Sequence, residues 1–172
     1  MNFSKQILAL SLCACCAFGA GSAAAYSNAD LNRVLNGENC VGGDLSGADL
    51  SGMNLCYRNF TGTDFTEARL DGTQLDNALL DNANFTNTLM ARASLRNAVF
   101  YGTNLYKGHL EASDLTEADA RSAKLGYAAL QHSKLNHTKF DSAYLAHANL
   151  HNAEMNYTEF GTAFLDDAAL DK

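Results

Sequence analysis

Apolar residues recur every five positions along most of this chain. From Leu45 to Leu170, every fifth residue is Leu, Phe, Met or Ala, which gives 26 successive apolar centres. Two residues before each centre lies a second position, which holds Ala, Gly, Ser or Thr in 24 of the 26 units. Met53 and Arg58 are the two exceptions. The pattern therefore indicates an uninterrupted repeat of five-residue units.

A period of five suits neither an α-helix nor a straight strand. On an α-helix, successive centres would rotate by about 140° and scatter around the axis. On a strand, an odd period sends successive centres to opposite faces. The chain keeps every centre inside only by turning once per unit. Gly and Asn tolerate the positive φ of tight turns, and they occur at many of the corners: Gly47, Gly52, Gly62, Asn77 and Gly102.

The units resemble those of the pentapeptide-repeat family, in which Ala, then Asp or Asn, then Leu are followed by two polar residues. The clearest are Ala48-Asp49-Leu50, Ala83-Asn84-Phe85 and Ala148-Asn149-Leu150. The resemblance covers residues 43–171. It implies an all-β solenoid, a right-handed, four-sided (quadrilateral) β-helix with four units in each coil.

Four units per coil predict a superperiod in which every fourth centre falls in one column, and the large core residues show one. One column of centres holds Phe at four of its six positions, whereas the other 20 centres contain only Phe65 and Phe85. Large residues that gather on one side are what stacked coils would produce. The column is Phe60, Leu80, Phe100, Ala120, Phe140 and Phe160.

Charged side chains on the outside follow the same superperiod. Opposite charges one coil apart are favourable cross-strand neighbours, although each exposed pair contributes only about 0–1 kcal/mol. We therefore expect these sets to stack: Asp114, Lys134 and Glu154; Asp119, Lys139 and Glu159; Asp76 and Arg96; Arg121 and Asp141.

Residues 1–25 are predicted to be a signal peptide. Lys5 precedes an apolar run at residues 7–18, and the small residues that follow offer a cleavage site after Ala25. The run is too short for a permanent transmembrane helix, so we expect no stable membrane span after cleavage. Two alternatives are an uncleaved core or interfacial helix and lipidation at Cys15.

Residues 26–42 break the repeat and are predicted to cap the β-helix of residues 43–172. Ser27 or Asn28 would begin a short helix whose apolar face would cover the open first coil. That face consists of Leu31, Val34 and Leu35. Met53 is interpreted as packing under this cap, and no role is assigned to Arg58.

The repeat continues to within two residues of the C-terminus, where no capping segment follows. Its last coil would leave strand edges and apolar centres uncovered. We predict an end-to-end homodimer through this end; a frayed, solvated end is the alternative. The self-association residues are Phe160, Phe164, Leu165 and Leu170.

Signal cleavage would leave Cys40 and Cys56 as the only cysteines. Two cysteines in an oxidising compartment favour one disulfide. The alternative is two separate thiols, because the spacing places the two residues on different sides of the coil and a bridge requires Cα atoms within about 7 Å.

Net charge and the lack of catalytic motifs argue against several classes of function. The formal net charge of −7 disfavours a nucleic-acid partner, whose binding surface would be basic. The chain has no Gly-x-Ser-x-Gly, Cys-x-x-Cys, His-Glu-x-x-His or phosphate-loop motif. Paired acids such as Asp76 and Asp81 lie on an outer wall with no cleft. We therefore predict no catalytic residues, no metal and no cofactor.

All five histidines lie in the second half of the chain: His109, His132, His137, His147 and His151. His132, His147 and His151 fall near one another in the four-sided register, where a weak metal site is conceivable. Ordinary surface ladders are favoured, with His147 between Tyr127 and Asp167, and His137 between Glu117 and Tyr157.

Leu79, Val99 and Tyr101 are the best candidate interaction patch, because Leu79 and Val99 replace the usual Asp or Asn on one wall. The leading hypothesis is a non-catalytic structural and protein-interaction scaffold, periplasmic or secreted, with an unknown protein partner or with itself. The alternative is a DNA-mimicking protein that binds a topoisomerase, which the family resemblance permits. A third hypothesis, a carbohydrate-active β-helix enzyme, lacks an insertion that would form a cleft.

Overall fold

The structure, a computed structural model, describes residues 26–171. The predicted signal peptide with its alternatives at residues 1–25, and Lys172, lie outside the described residues. Within that range, one helix, α1, spans Asn28–Leu35. No helix in the described part of the chain has the length and apolar character needed to cross a membrane.

The rest of the described chain winds into coils of four units. Its 22 β-bridges are all parallel and all join residues four units apart, from Asp44 with Asp64 to Asn149 with Ala169. Each coil therefore has four sides, and the predicted superperiod is confirmed. Each side contributes a single bridged residue, so residues 26–171 contain no strand longer than one bridge.

The interior is filled by the apolar centres and by the small residues two positions before them. The Phe column lies inside: Phe60, Phe100 and Phe140 have no exposed surface. On the neighbouring side, Phe65 and Phe85 stack with ring centroids 4.6 Å apart. Burial of these centres supplies the main driving force for coiling.

At most corners, the second residue after the centre has a positive φ. Gly47 and Asn77, with φ of 69° and 58°, behave as predicted. Larger residues share this conformation, among them Tyr57 at 61° and Lys107 at 56°. The backbone N–H of Tyr57 donates to the carbonyl of Asp76 in the next coil, at 3.0 Å. Bonds between coils therefore offset the strain that a left-handed side-chain residue carries.

Buried threonines at the small position join successive coils. The hydroxyls of Thr73, Thr88, Thr103 and Thr138 each donate to a carbonyl 23 residues earlier, at 2.7–2.9 Å. The buried serines Ser113 and Ser133 instead donate to a carbonyl three residues earlier. A buried hydroxyl at this position thus always finds an acceptor, as burial requires.

Helix α1 packs on the first coil. The Ser27 side chain caps it by accepting a hydrogen bond from the Asp30 N–H at 3.3 Å. Val34 is fully buried in the same cluster as the coil centres, whereas Leu31 and Leu35 are half-buried. Asp30 joins the helix to the repeat, because its Oδ2 accepts a hydrogen bond from the Asp44 N–H at 3.1 Å.

One of the two exceptions in the repeat, Arg58, contacts this helix. Met53 is partly buried against the core. The Nη1 of Arg58 donates to the Val34 carbonyl at 2.7 Å, which helps to satisfy a carbonyl in the last turn of α1. The first hydrogen bonds between coils are made by the N–H groups of Cys40 and Gly42. The coiled part therefore includes one unit before Gly43, with buried Cys40 as its centre.

Candidate interaction surfaces

Leu79 and Val99 lie side by side on one outer wall. A parallel bridge joins them, as the four-unit register predicts. Leu79 is 41% exposed, Val99 is half-buried, and Tyr101 is exposed at the adjoining corner. The wall therefore presents a small apolar surface to solvent.

Charged residues flank this patch. Burial raises the pKa of the Asp81 carboxyl. Arg121 holds the Asp119 carboxylate through two hydrogen bonds of 2.8 and 2.7 Å. These bonds lower the pKa of Asp119 and raise that of Arg121. The patch is thus bordered by an ion pair fixed in a forked geometry and by a partly desolvated acid.

The charged columns have the predicted register but not all of the predicted pairs. Parallel bridges place Lys134 between Asp114 and Glu154, and Lys139 between Asp119 and Glu159. Among the described residues, however, no ion pair within 4.0 Å involves either lysine.

Two other pairings were wrong. Arg121 pairs with Asp119, two residues away on the same coil, rather than with Asp141. Asp76 accepts hydrogen bonds from the backbone N–H of Arg96 and from the Ser94 hydroxyl, not from the guanidinium. A long, flexible side chain on an exposed wall can reach several charged groups, so the column alone does not determine which of them it pairs with.

The last coil is open. Its centres Met155, Phe160 and Leu165 are only partly buried, and Leu170 is 42% exposed. Phe164 on the outer wall is 57% exposed. The equivalent centres of the preceding coil are fully buried. The four predicted self-association residues therefore lie together on or beside an uncovered coil.

The histidines form ladders with aromatic and acidic neighbours. His147 stacks on Tyr127 at 4.6 Å and lies 3.7 Å from Asp167. His137 stacks on Tyr157 at 5.0 Å. Within residues 26–171, no group of three or more His, Cys, Asp or Glu side chains is arranged to hold a metal ion.

Cys40 and Cys56 are both free thiols in the structure, so no bridge joins them. Cys40 is buried among core residues beside α1, and this burial raises the pKa of its thiol. Cys56 is partly exposed at a corner.

The sequence analysis identified the Tyr127–His147 ladder and exposed Phe164, but not the larger surface to which they belong. Five aromatic side chains with sizeable exposed surface follow one corner of the C-terminal half: Tyr106, Tyr127, Tyr144, His147 and Phe164. They belong to three columns of the repeat, and no single column holds more than two of the rings. Comparing all three columns at once would have found them.

Two shallow depressions lie on the described surface. One of about 370 Å³ is lined by Asn97, Glu117, His137, Lys139 and Glu159. Another of about 260 Å³ lies along residues 152–156 at the open end. Both are open to solvent, unlike the enclosed sites in which small molecules are usually bound.

Comparisons with known proteins agree with this geometry. The family model described as pentapeptide repeats matches the chain in eight copies. The matched residues are covered by the overlapping ranges 44–82, 78–116, 93–126, 113–152 and 123–160. These matches run without a gap from residue 44 to residue 160. None of the curated proteins compared with the chain matches it significantly.

Several solved structures are similar to the chain. HetL of Nostoc sp. strain PCC 7120, described as involved in heterocyst differentiation regulation, is 21% identical over 73% of this chain and 81% of its own, with a TM-score of 0.48. Rfr23 of Cyanothece 51142 is 18% identical over 82% and 97%, with a TM-score of 0.43. A protein of the Arabidopsis thaliana thylakoid lumen is 29% identical over 59% and 68%, with a TM-score of 0.39.

Proposed function

This chain belongs to the pentapeptide repeat family, and we propose that it is an exported, non-catalytic scaffold that binds a protein partner through its outer walls. Family membership implies the right-handed sense of the four-sided β-helix. We also propose that α1 acts as its N-terminal cap, because buried Val34 and the Arg58 hydrogen bond both attach the helix to the first coils.

The bridged pair of exposed Leu79 and half-buried Val99 carries the proposal. In most other repeat units, the residue just before the apolar centre is polar or charged, which keeps the rod soluble. Two apolar residues in register instead form a contact that releases water when it is covered. The adjacent Asp119–Arg121 pair supplies a polar rim with fixed geometry. An apolar centre with a polar rim is the arrangement found in protein interfaces.

Export is proposed from the N-terminal sequence alone. A short positive start, an apolar run and a small-residue cleavage site at residues 1–25 are typical of a signal peptide. The mature chain would begin at Tyr26 and reside in the periplasm or outside the cell. Cell fractionation followed by N-terminal sequencing tests this: a periplasmic or secreted chain starting at Tyr26 is expected, and a cytoplasmic chain that retains Met1 would contradict it.

We further propose that the open last coil pairs with a second copy. Phe160 and Leu165 are only partly covered, and exposed Phe164 and Leu170 enlarge the apolar area. Analytical ultracentrifugation should show a dimer for the wild type and a monomer for Leu170→Asp combined with Phe164→Asp. A wild-type chain that remains monomeric at high micromolar concentration would exclude this interface.

The topoisomerase-binding alternative rests on acidity. The net charge of −7 favours a DNA mimic, but the charged columns count against it. DNA presents unbroken rows of phosphate charge, whereas Lys134 and Lys139 interrupt the two acidic columns here. Retention of the chain in the cytoplasm would favour this alternative over the scaffold.

Affinity capture with the exported form tests the patch. Leu79→Asp/Val99→Asp places two charges on the proposed contact, and Leu89→Asp/His109→Asp is the matched control, because those residues form an equivalent bridged pair on another wall. We expect a partner recovered with wild type and with the control to be lost with Leu79→Asp/Val99→Asp. Equal recovery with all three proteins would discard the patch.

A further inference from the structure

The five rings at one corner of the C-terminal half form a continuous surface, which we call the aromatic strip: Tyr106, Tyr127, Tyr144, His147 and Phe164. In the N-terminal half, the same corner is polar. There, Asp64 accepts hydrogen bonds from Thr66, and Asn84 from Thr86. The chemistry of this one corner therefore changes along the rod from hydrogen-bonding groups to aromatic rings.

Outward side chains on this wall lean back over the corner of the preceding coil. The Asn84 amide donates to the Thr66 hydroxyl at 2.8 Å, and the Asn104 amide donates to the Thr86 hydroxyl at 2.9 Å. Tyr144 leans in the same way, because its ring lies against Gly126, which occupies the equivalent position of the preceding coil. The rule that positions the amides thus also positions the aromatic rings.

Small residues form the floor beneath the rings. Gly126 and Ala146 occupy the column that holds Thr66 and Thr86 in earlier coils, and both are buried at this outward corner. A Cβ added at Gly126 would lie 3.3 Å from the Tyr144 ring and 3.4 Å from the Tyr106 ring. The two rings therefore flank the glycine closely and are held in place by packing. A surface fixed in this way loses little entropy when it binds.

The remaining contacts join the rings into two rows along the rod. Tyr127 meets Tyr106 edge-to-face at 5.7 Å and stacks on His147 at 4.6 Å. Tyr144 and Phe164 lie 6.3 Å apart in the neighbouring row. Because successive coils repeat at about 4.8 Å, the pairs Tyr127–His147 and Tyr144–Phe164, each within one column, place aromatic rings in successive coils along the rod. Such a surface suits an extended polymer better than a compact ligand.

The electrostatics favour an uncharged polymer. Lys107 lies over the Tyr106 ring, and Lys124 is the bridged neighbour of Tyr144. Asp166 and Asp167 lie beside His147 in the last coil. These charges balance locally, and the net charge of −7 opposes a polyanion. Sugar rings combine an apolar C–H face, which packs on the electron-rich face of an aromatic ring, with hydroxyls that reach neighbouring polar groups. Tyrosine and histidine offer both kinds of contact.

We propose that the aromatic strip binds a polysaccharide of uncharged sugar rings, with successive rings stacked on Tyr144 and Phe164 and with Tyr106, whose ring lies under the Lys107 ammonium, beside them. The polar ladder at Asn84, Thr86 and Asn104 continues the same corner and would accept hydroxyl hydrogen bonds from a longer chain. This activity is binding without catalysis. It stands apart from the protein partner at Leu79 and Val99, so either can fail without the other.

Binding is tested with the purified full chain and insoluble microcrystalline cellulose and chitin, two polysaccharides of uncharged sugar rings, as separate probes. Depletion from the supernatant should show binding to at least one of them. Tyr144→Ala should weaken that binding about tenfold or more, as the loss of a central aromatic contact commonly does. Gly126→Thr, which restores the residue type of the earlier coils, should also weaken it by forcing the two rings apart.

Tyr57→Ala is the matched control, because Tyr57 is 79% exposed at a different corner. It should bind like wild type, and circular dichroism should show the same fold for all variants. Failure of both probes to bind would overturn the proposal, as would equal losses for Tyr57→Ala and Tyr144→Ala. Conversion of a dimer to a monomer by Tyr144→Ala without glycan binding would show that the strip is a contact between copies instead.

Discussion

Replacement of Phe100 by Ala tests whether the buried column stabilises the coils. Phe100 has no exposed surface and lies in its column between Leu80 and Ala120. Removal of a buried Phe ring typically costs about 3–5 kcal/mol, depending on how far the surroundings collapse. Ala120 has no side chain that can extend into the cavity, so we expect a loss in the upper part of this range. For a domain of this size, that corresponds to a fall in melting temperature of roughly 8–20 °C.

Thermal and urea unfolding followed by circular dichroism measure this loss, with several wavelengths compared to establish a single transition. Tyr57→Ala removes a ring of similar size from the surface and should change the free energy of unfolding by no more than about 0.5 kcal/mol. If Phe100→Ala and Tyr57→Ala unfold at the same temperature and urea concentration, the packing of the column does not support the coils as described.

Three further predictions concern the N-terminal end. Arg58→Ala removes the hydrogen bond to the Val34 carbonyl. Because Arg58 is partly exposed, we expect the local stability of the end of α1 to fall by about 1 kcal/mol, which is measured as roughly fivefold faster hydrogen exchange there. Arg92→Ala is the control and should leave this exchange unchanged. Hydrogen bonds from the Asp44 N–H and Ser27, together with Arg33, lower the pKa of Asp30 below its ordinary 3.8. The ionised Asp30 carboxylate therefore contributes its full stabilisation above pH 3.8, and this stabilisation is lost as the pH falls through the lowered pKa. Between pH 7 and pH 3, the melting temperature should fall less in Asp30→Asn than in wild type. Equal decreases in the two proteins would contradict this. An alkylating reagent at neutral pH should label Cys56 and leave buried Cys40 unlabelled, as peptide mass spectrometry can show; a linked Cys40–Cys56 peptide would contradict the free thiols.

The four-sided coil and the residues buried inside it could be predicted from the sequence because both follow from the period of the repeat. An apolar residue at every fifth position requires one turn per unit, and the recurrence of Phe in one column of centres indicates four units per coil. Bridges such as Leu79 with Val99 follow from that period. These features depend on backbone geometry and burial, which act alike in every unit.

Contacts made by individual side chains were less predictable from the sequence. Arg121 chooses Asp119 rather than Asp141, because a flexible guanidinium reaches several acids on a flat wall. The role of Arg58 depends on the position of α1, which lies outside the repeat. The aromatic strip depends on side chains that lean over a neighbouring column of the preceding coil, as Tyr144 does over Gly126. No single column of the sequence shows such a relation.

The register of the walls is the central claim, since every proposed surface depends on it. Cysteines introduced in place of Asn84 and Asn104, which are bridged neighbours in successive coils, should lie within the Cα distance of about 4.4–6.8 Å that a disulfide needs. Mild oxidation followed by peptide mass spectrometry should then find these two residues linked. A control pair in place of Asn84 and Val99, three units apart on different walls, should remain unlinked. Efficient linkage of the control pair, or none between positions 84 and 104, would contradict the four-sided coil.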